Sequence, residues 1–315
     1  MVHSFRPLTS LLAVLWLLLG APAARAFALT PTVVAPGMYA LIGPMGMRTA
    51  QNDALNCNIG FVVTEQGVVL IDSGASRMGA ERIARAVGSA TYQPIRWVIN
   101  TGSQDHRWLG NGYFAEQGAE IIALQRTVET QKGYADQHLA NLHRVLGERL
   151  AGTEPVTATA PLAGDQSHLN LGGVDLELIF LGDAHFPGDA MLWLPQQRVL
   201  FTGDLVYTDR LLGVLSSSRV RSWRAAFERM KTLEPKVIVP GHGSVGDLAK
   251  AQHDTGDYLD WLIEHVSAAL VDWEPLDEVV ERLADAPQFS RLANFDTLHR
   301  SNINRTYLEL ERGGD

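Results

Sequence analysis

The stretch Ile95-Arg96-Trp97-Val98-Ile99-Asn100-Thr101-Gly102-Ser103-Gln104-Asp105-His106 combines a short strand with a polar loop. Isoleucine and valine favour a strand here because β-branched side chains pack well on a pleated sheet. Loops that follow strands hold side chains at one edge of a sheet, where groups from different loops can converge. The stretch therefore predicts a site at a sheet edge, with His106 among its residues.

Three further loops place a histidine or a carboxylate directly after a strand-like run. They are Gly182-Asp183-Ala184-His185-Phe186-Pro187-Gly188-Asp189, Phe201-Thr202-Gly203-Asp204-Leu205 and Pro240-Gly241-His242-Gly243. Each histidine taken singly has an ordinary explanation as a turn residue or a hydrogen-bonded polar group. Imidazole nitrogen and carboxylate oxygen, however, are ligands that zinc takes outside thiolate sites. Four such loops in one chain predict a convergent metal site.

Apolar runs and turn residues continue on both sides of these loops. Residues Gly37–Gly74 read as a strand meander, and Gly79–Ser89 has helical spacing. A long polar helical excursion over Gln125–Leu150 precedes a second strand-rich block between Leu169 and Thr202, and helices follow from Asp247 to about Ala286. Each half runs strands and then helices. This order predicts an α/β (α+β) fold, a four-layer αββα sandwich of two packed sheets with helices outside.

The first 26 residues have the pattern of a cleavable secretory signal. Arg6 precedes an apolar run, Leu11–Leu19, and the small-residue site Ala24-Arg25-Ala26 follows. The run is shorter than the roughly 20 apolar residues of a spanning helix. We therefore expect a periplasmic or secreted protein, with one compact domain and a C-terminal helical extension over residues 27–315 and no stable membrane insertion after cleavage.

Charge and cysteine content exclude several classes of partner. Cleavage removes two arginines and no acidic residue, which takes the net charge from −9 to −11, so nucleic acid and anionic lipid are not expected to bind. Cys57 is the single cysteine and forms no intramolecular disulfide; a buried, small apolar role is expected for it rather than metal ligation. Solvated surface is expected for five histidines in helical stretches or without a partner pattern, which are His138, His143, His168, His253 and His265.

The order of these loops resembles the metallo-β-lactamase superfamily, whose members carry an Asn-Thr-His-x-His-x-Asp-His run, a later histidine, a bridging aspartate and a last histidine. The similar segments, which span roughly Gly37 to Gly246, are Val69–Gly74, Asp105-His106 with Leu109-Gly110-Asn111, His185–Asp189, Gly203-Asp204 and Gly241-His242-Gly243. Within the superfamily, Leu109-Gly110-Asn111 and the tail Ser301–Glu309 are similar to exported quinoprotein relay system zinc metallohydrolases. That similarity implies a periplasmic redox or quinoprotein partner.

The chain departs from the family pattern at the first metal position. Alignment on Asp105-His106 puts Thr101 and Ser103 where the family has histidines, and alignment on Asn100-Thr101 supplies no imidazole either. The resemblance leaves only His185 and Asp204 for that first ion, too few for tight zinc binding. The second position is complete, with Asp105, His106, Asp204 and His242. The resemblance thus implies one zinc ion and leaves a second without a full ligand set.

The resemblance implies a metal-dependent hydrolase that acts on an ester, lactone, thioester or amide carbonyl of a small molecule. In such a site Asp105 or Asp204 takes a proton from the metal-bound water, and His185 hydrogen-bonds or orients the substrate. Ser103 and Gln104 add weak oxygen ligands or hydrogen bonds, and Asp72 is expected to hold His106 or His242 in place.

Two alternatives to a hydrolase remain open. The missing histidines motivate a non-catalytic protein that keeps the fold, with or without one ion, and binds a small molecule or a redox partner. Redox chemistry at iron or another metal in the same cage is the other alternative, since histidine and aspartate ligands tolerate it.

Overall fold

The first sheet follows the order of the chain. The structure, a computed structural model, describes residues 28–313, so the predicted signal peptide lies outside the described residues. Six strands form this sheet: β1 (Pro31–Ala35), β2 (Met38–Leu41), β3 (Ile59–Val63), β4 (Val68–Ile71), β5 (Ile95–Ile99) and β6 (Glu120–Ile122). Strands β1 to β4 pair antiparallel, and β4, β5 and β6 pair parallel.

Parallel pairing requires crossover connections, which helices supply. Helix α1 (Arg77–Ala90) connects β4 to β5, while α2 (Asp105–Trp108) and α3 (Asn111–Glu116) connect β5 to β6. The Ser76 hydroxyl caps α1 by accepting the Gly79 N–H at 3.1 Å. Helix α4 (Gln125–Leu146) then forms the predicted excursion and ends in a 3-10 turn at Gly147–Leu150.

The second sheet has five strands in the order β11-β10-β9-β8-β7. Its members are β7 (Gln166–Leu171), β8 (Val174–Ile179), β9 (Met191–Leu194), β10 (Val199–Phe201) and β11 (Val237–Val239). The strand-rich block predicted between Leu169 and Thr202 begins with a hairpin, because Gly172 and Gly173, both at positive φ, turn the chain from β7 into β8. Helix α5 (Val220–Lys231) makes the crossover between the parallel strands β10 and β11.

The last segment is helical. It contains α6 (Leu248–Ala251), a π-helical turn (Gln252–Gly256), α7 (Asp257–Val271), α8 (Leu276–Arg282) and α9 (Phe295–Glu311). Among residues 28–313 no helix combines the length and the apolar character needed to cross a bilayer.

Alternate strand residues face different layers, as the pleat requires. Phe61 and Leu70 pack under α1, whereas their neighbours Val62 and Val69 pack between the two sheets. Phe201 belongs to the same intersheet cluster. On the outer side of the second sheet a further apolar cluster joins residues of α5, α7 and α9. The predicted αββα sandwich is confirmed.

Asn58 joins the two sheets at the edge where the predicted site lies. Its Nδ2 donates to the carbonyl oxygens of Pro240 at 2.9 Å and Gly243 at 2.8 Å, and its Oδ1 accepts the Gly43 N–H at 3.0 Å. The Asn58 backbone N–H also donates to the Gly241 carbonyl at 2.8 Å. The start of β3 thereby holds the loop that carries His242.

We expect Asn58→Ala to lower the free energy of unfolding by about 2–3 kcal/mol, since three buried backbone groups lose their partners. Urea unfolding of both proteins measures this. Asn170→Ala is the matched control, because Asn170 is exposed and bonds only Asp175. An equal decrease in the free energy of unfolding of the two variants would contradict the role of Asn58 in joining the two sheets.

Candidate metal centre

Three of the predicted ligands meet in one buried group, His106, Asp204 and His242. His106 Nε2 lies 3.0 Å from Asp204 Oδ2, and His242 Nε2 lies 3.2 Å from Asp204 Oδ1. Each residue sits just beyond the carboxyl end of a parallel strand: His106 in α2 after β5, Asp204 in a 3-10 turn after β10, and His242 after β11. The convergence at a sheet edge is therefore present.

The three residues lie close enough together to share one metal ion. One donor atom from each lies within 4.8 Å of the others, and the ligands of a tetrahedral zinc lie about 3.3 Å apart. His242 Nδ1 lies 2.7 Å from the Asn56 carbonyl oxygen, which orients the ring and leaves Nε2 for a metal. Burial lowers the pKa of His242 to about 3, so the ring is neutral, as a ligand must be. This group could hold a metal.

Asp105 lies outside that group. Its carboxylate is ion-paired with the Arg48 guanidinium and accepts the His106 N–H at 2.8 Å. Burial raises the pKa of Asp105, but the charges of Arg48 and His106 outweigh it and leave the carboxyl below its usual range. Asp105 Oδ1 also lies 3.3 Å from His106 Nδ1, so it contacts the group through that ring.

His185 is likewise engaged elsewhere. Its Nε2 lies 2.9 Å from Gln104 Oε1 and its Nδ1 lies 2.8 Å from the Gly213 carbonyl oxygen. Burial lowers the pKa of His185 to about 4. The Ser103 hydroxyl donates to the Pro187 carbonyl at 2.5 Å. The structure thus places His185, Gln104 and Ser103 in contacts that tie the α2 loop to the loop after β8.

Asp72 contacts the position where the family has a histidine, rather than His106 or His242. The Thr101 N–H donates to Asp72 Oδ1 at 2.7 Å, and the Thr101 hydroxyl donates to Asp72 Oδ2 at 2.6 Å. Asp72 is nearly fully buried. A buried carboxylate needs a cation, and here that cation is Arg107.

Arg107, which sequence reasoning missed, lies beneath the metal centre with a 1% exposed side chain. Its Nη1 donates to Asp72 Oδ2 at 2.9 Å and to the Asn58 carbonyl at 3.2 Å, and its Nη2 donates to the Gly241 carbonyl at 3.3 Å. Nη2 and Nε also donate to the two Asp204 oxygens at 2.5 and 3.3 Å. All five N–H donors of the guanidinium have acceptors. The only local signal was its place beside His106.

The two carboxylates and Arg107 stabilise each other's charge. Burial alone lowers the pKa of Arg107, yet Asp204 and Asp72 raise it well above its usual value. Burial raises the pKa of Asp204, yet Arg107 and His106 hold it well below its usual value. A carboxylate offers about four lone pairs. Asp204 therefore binds Arg107 on one side and still faces both histidines on the other.

A cavity of about 660 Å³ is lined by Gln104 and Asp105, the two residues before His106, and not by His106, Asp204 or His242 themselves. His138 also lines it, so the expectation of a solvated surface position is wrong for this residue, which is 5% exposed. Tyr134 and His138, four residues apart on α4, face the cavity together and pack on Phe186, with ring centroids 4.9 and 5.5 Å away. That spacing was the available signal. Cys57 is buried, as expected.

The chain belongs to the Metallo-beta-lactamase superfamily, whose sequence profile matches residues 52–242. The 2,4-dinitroanisole O-demethylase subunit alpha of Nocardioides sp. (strain JS1661) is 24% identical over 79% of this chain and 73% of its own length. A type 2 metallo-beta-lactamase of Bacteroides fragilis is 28% identical over 66% of this chain and 76% of its own. The solved metallo-beta-lactamase of Pontibacter korlensis, 22% identical, covers 74% of this chain and 99% of its own with a TM-score of 0.59 and shows the same fold. The predicted superfamily is confirmed.

Arg107→Met should lower the free energy of unfolding of the metal-free protein by about 3–5 kcal/mol, because Asp72 and Asp204 lose their buried cation. Zinc at Asp204 would supply positive charge, so we expect added zinc to raise the melting temperature more in Arg107→Met than in the wild type. Urea and thermal unfolding measure both effects. Arg221→Met, at an exposed arginine bonded to Ser267, is the control. An unchanged Arg107→Met protein would contradict the assigned role.

Acid should destabilise the metal-free protein. The pKa of His185 and of His242 is about 6.5 in an unfolded chain but about 4 and about 3, respectively, in the fold. Between these values the unfolded chain binds more protons, so the free energy of unfolding decreases as the pH is lowered. Each histidine should account for on the order of 2 kcal/mol of loss between pH 7.5 and 5.0. Urea unfolding at both pH values should show a smaller loss in His185→Gln. An identical loss in the wild type and in His185→Gln would contradict the lowered pKa of His185.

Proposed function

We propose that the protein is a metal-dependent hydrolase with one zinc ion held by His106, Asp204 and His242. The observation that carries this proposal is the buried group itself, in which both Nε2 atoms face one carboxylate. Membership of a superfamily with β-lactamase relatives supports hydrolysis as the reaction class. An ester, lactone, thioester or amide carbonyl of a small molecule is the proposed target.

A zinc ion bound there would lower the pKa of a bound water to about 7 and would polarise a carbonyl oxygen. The chain's own residues divide the remaining work. Asp204 is enclosed by Arg107 and the two histidines, so it binds and orients. Asp105 lines the cavity, so of the two carboxylates it is the one that a molecule bound there can contact. Tyr134 and Phe186 pack together and give the cavity an aromatic surface.

Setting and partners are part of the same proposal. The pattern of residues 1–26 supports export to the periplasm with cleavage after Ala26. The similarity of the Leu109-Gly110-Asn111 segment and the tail to quinoprotein relay hydrolases supports a periplasmic redox or quinoprotein partner. The name of the Nocardioides relative adds aryl methyl ethers to the substrates worth screening.

A non-catalytic binding protein is the second candidate. Arg107 compensates the charge of Asp204 without any metal, and Thr101 satisfies Asp72 where the family has a metal-binding histidine. This edge of the sandwich can therefore stay folded without a bound metal and without catalysis. Metal content separates the two candidates.

Counting metal in the chain from Phe27 onward, purified without chelator, tests the proposal. Inductively coupled plasma mass spectrometry should find about one zinc per wild-type chain. His106→Ala and His242→Ala should lose it, because each removes one of three ligands. Asp105→Asn should retain most of it, since Asp105 lies outside the group.

His168→Ala is the control for removal of a histidine, because the His168 side chain is 75% exposed and far from the centre in the second sheet. Zinc-loaded wild type should hydrolyse activated carbonyl substrates, and His242→Ala should not. Absence of bound zinc, with no change in melting temperature when zinc is added, would overturn the hydrolase and leave the binding protein.

A further inference from the structure

Two neighbouring cavities share part of their lining. The cavity of about 660 Å³ that reaches Asp105 adjoins a second cavity of about 570 Å³, and both are lined by Ser216, Arg219 and Arg305. Arg219 directly precedes α5, and Arg305 lies on α9, beyond the residues 52–242 that match the superfamily. Together the cavities form an elongated cleft with two arginines at its middle.

Positive charge exceeds negative charge in the part of this cleft next to the centre. The charged residues that line the larger cavity are Arg48, Arg219 and Arg305 against a single carboxylate, Asp105. Arg48 is already ion-paired with that carboxylate. Within residues 28–313 no carboxylate lies within 4.0 Å of the guanidinium of Arg219 or Arg305. The excess is notable in a chain whose net charge is −9.

The carboxylates of the second cavity are committed to backbone groups. Both Glu309 oxygens accept the Val220 N–H, at 3.1 and 3.0 Å, at the start of α5. Asp183 accepts the Gly188 N–H at 3.3 Å. These bonds hold the two acidic side chains against the backbone. Burial raises the pKa of Glu309 and the charge of Arg219 opposes that rise, so the two groups interact beyond ion-pair distance.

The two arginines are held on connected parts of the fold. Asn302, one turn before Arg305 on α9, accepts the Val214 N–H at 2.8 Å and donates to the Leu212 carbonyl at 2.8 Å. These bonds tie α9 to the segment that leads to Arg219. These bonds fix the backbone positions from which the two exposed arginine side chains extend into the cleft.

We propose that the substrate is an elongated anion whose carboxylate or phosphate group binds Arg219 and Arg305 while its scissile bond lies at the metal centre. Guanidinium groups recognise both kinds of anion through paired N–H donors. Tyr134, Phe186 and Val214, which line the cavity between the two ends, contact the apolar middle of the molecule. The reacting bond rests on the proposed function, whereas anion binding does not.

Calorimetric titration of the zinc-loaded protein with sodium phosphate and, separately, sodium glutarate at constant ionic strength tests anion binding. We expect one saturable site for at least one of the two anions, and the stronger one identifies phosphate or carboxylate as the recognised group. The double variant Arg219→Gln/Arg305→Gln should bind at least about tenfold more weakly. Arg221 is an exposed arginine of α5 that lines neither cavity, so Arg221→Gln should bind like the wild type. No saturable binding, or equal binding in the double variant, would overturn the inference.

A matched pair of esters separates this inference from the hydrolase proposal. Mono-p-nitrophenyl glutarate carries the carboxylate that p-nitrophenyl butyrate lacks, so wild-type kcat/KM should favour the glutarate by at least about tenfold, through KM. That preference should disappear in the double variant and persist in Arg221→Gln. Hydrolysis of neither ester, with arginine-dependent anion binding intact, would support the inference and count against an ester hydrolase. Equal hydrolysis of both esters, with no arginine-dependent binding, would support an ester hydrolase and overturn the inference of an anion-binding arginine pair.

Discussion

The ion pairs of Arg107 with Asp72 and Asp204 are the interactions on which this edge of the protein depends. The two carboxylates come from different sheets, Asp72 at the end of β4 and Asp204 after β10. Neither could remain charged in the interior without a cation, and one guanidinium with all five donors bonded serves both. The sandwich is therefore joined here by charge as well as by the apolar layer between its sheets, and Asn58 adds neutral hydrogen bonds to the same joint.

This joint explains how the superfamily site persists without two of its histidines. Thr101 donates two hydrogen bonds to Asp72 at the altered position, so both oxygens of this buried carboxylate have partners. The metal group keeps its geometry, because His242 is oriented by a backbone carbonyl and Asp204 is aligned by Arg107. These contacts preserve a group of residues that could hold one metal ion.

Substrate recognition involves a part of the chain outside the superfamily segment. Helix α9 packs against α7 and α8 and is anchored by Asn302 to the loop that precedes α5. It thereby adds a wall with Arg305 to a cleft whose other walls come from α4 and the loop after β8. The reacting groups and the proposed anion-binding groups stand on different elements, so one can change without the other.

The sequence by itself determined the strands, the αββα order and the junctions that carry His106, Asp204 and His242. The strand predicted over Ile95–Ile99 has those bounds in the structure. These features follow from neighbours along the chain, since strand periodicity and loop chemistry are local properties.

Only the tertiary structure decided which side chains face one another. Arg48 pairs with Asp105 from 57 residues away, and Arg107 pairs with Asp204 from 97 residues away. Periodicity carries no information about such partners, and neither does it reveal that His138 turns into a cavity. The ligand group, its buried counter-charge and the arginine-lined cleft all arise when two sheets and a distant helix pack together, because burial makes each unpaired charge costly and so selects its partner.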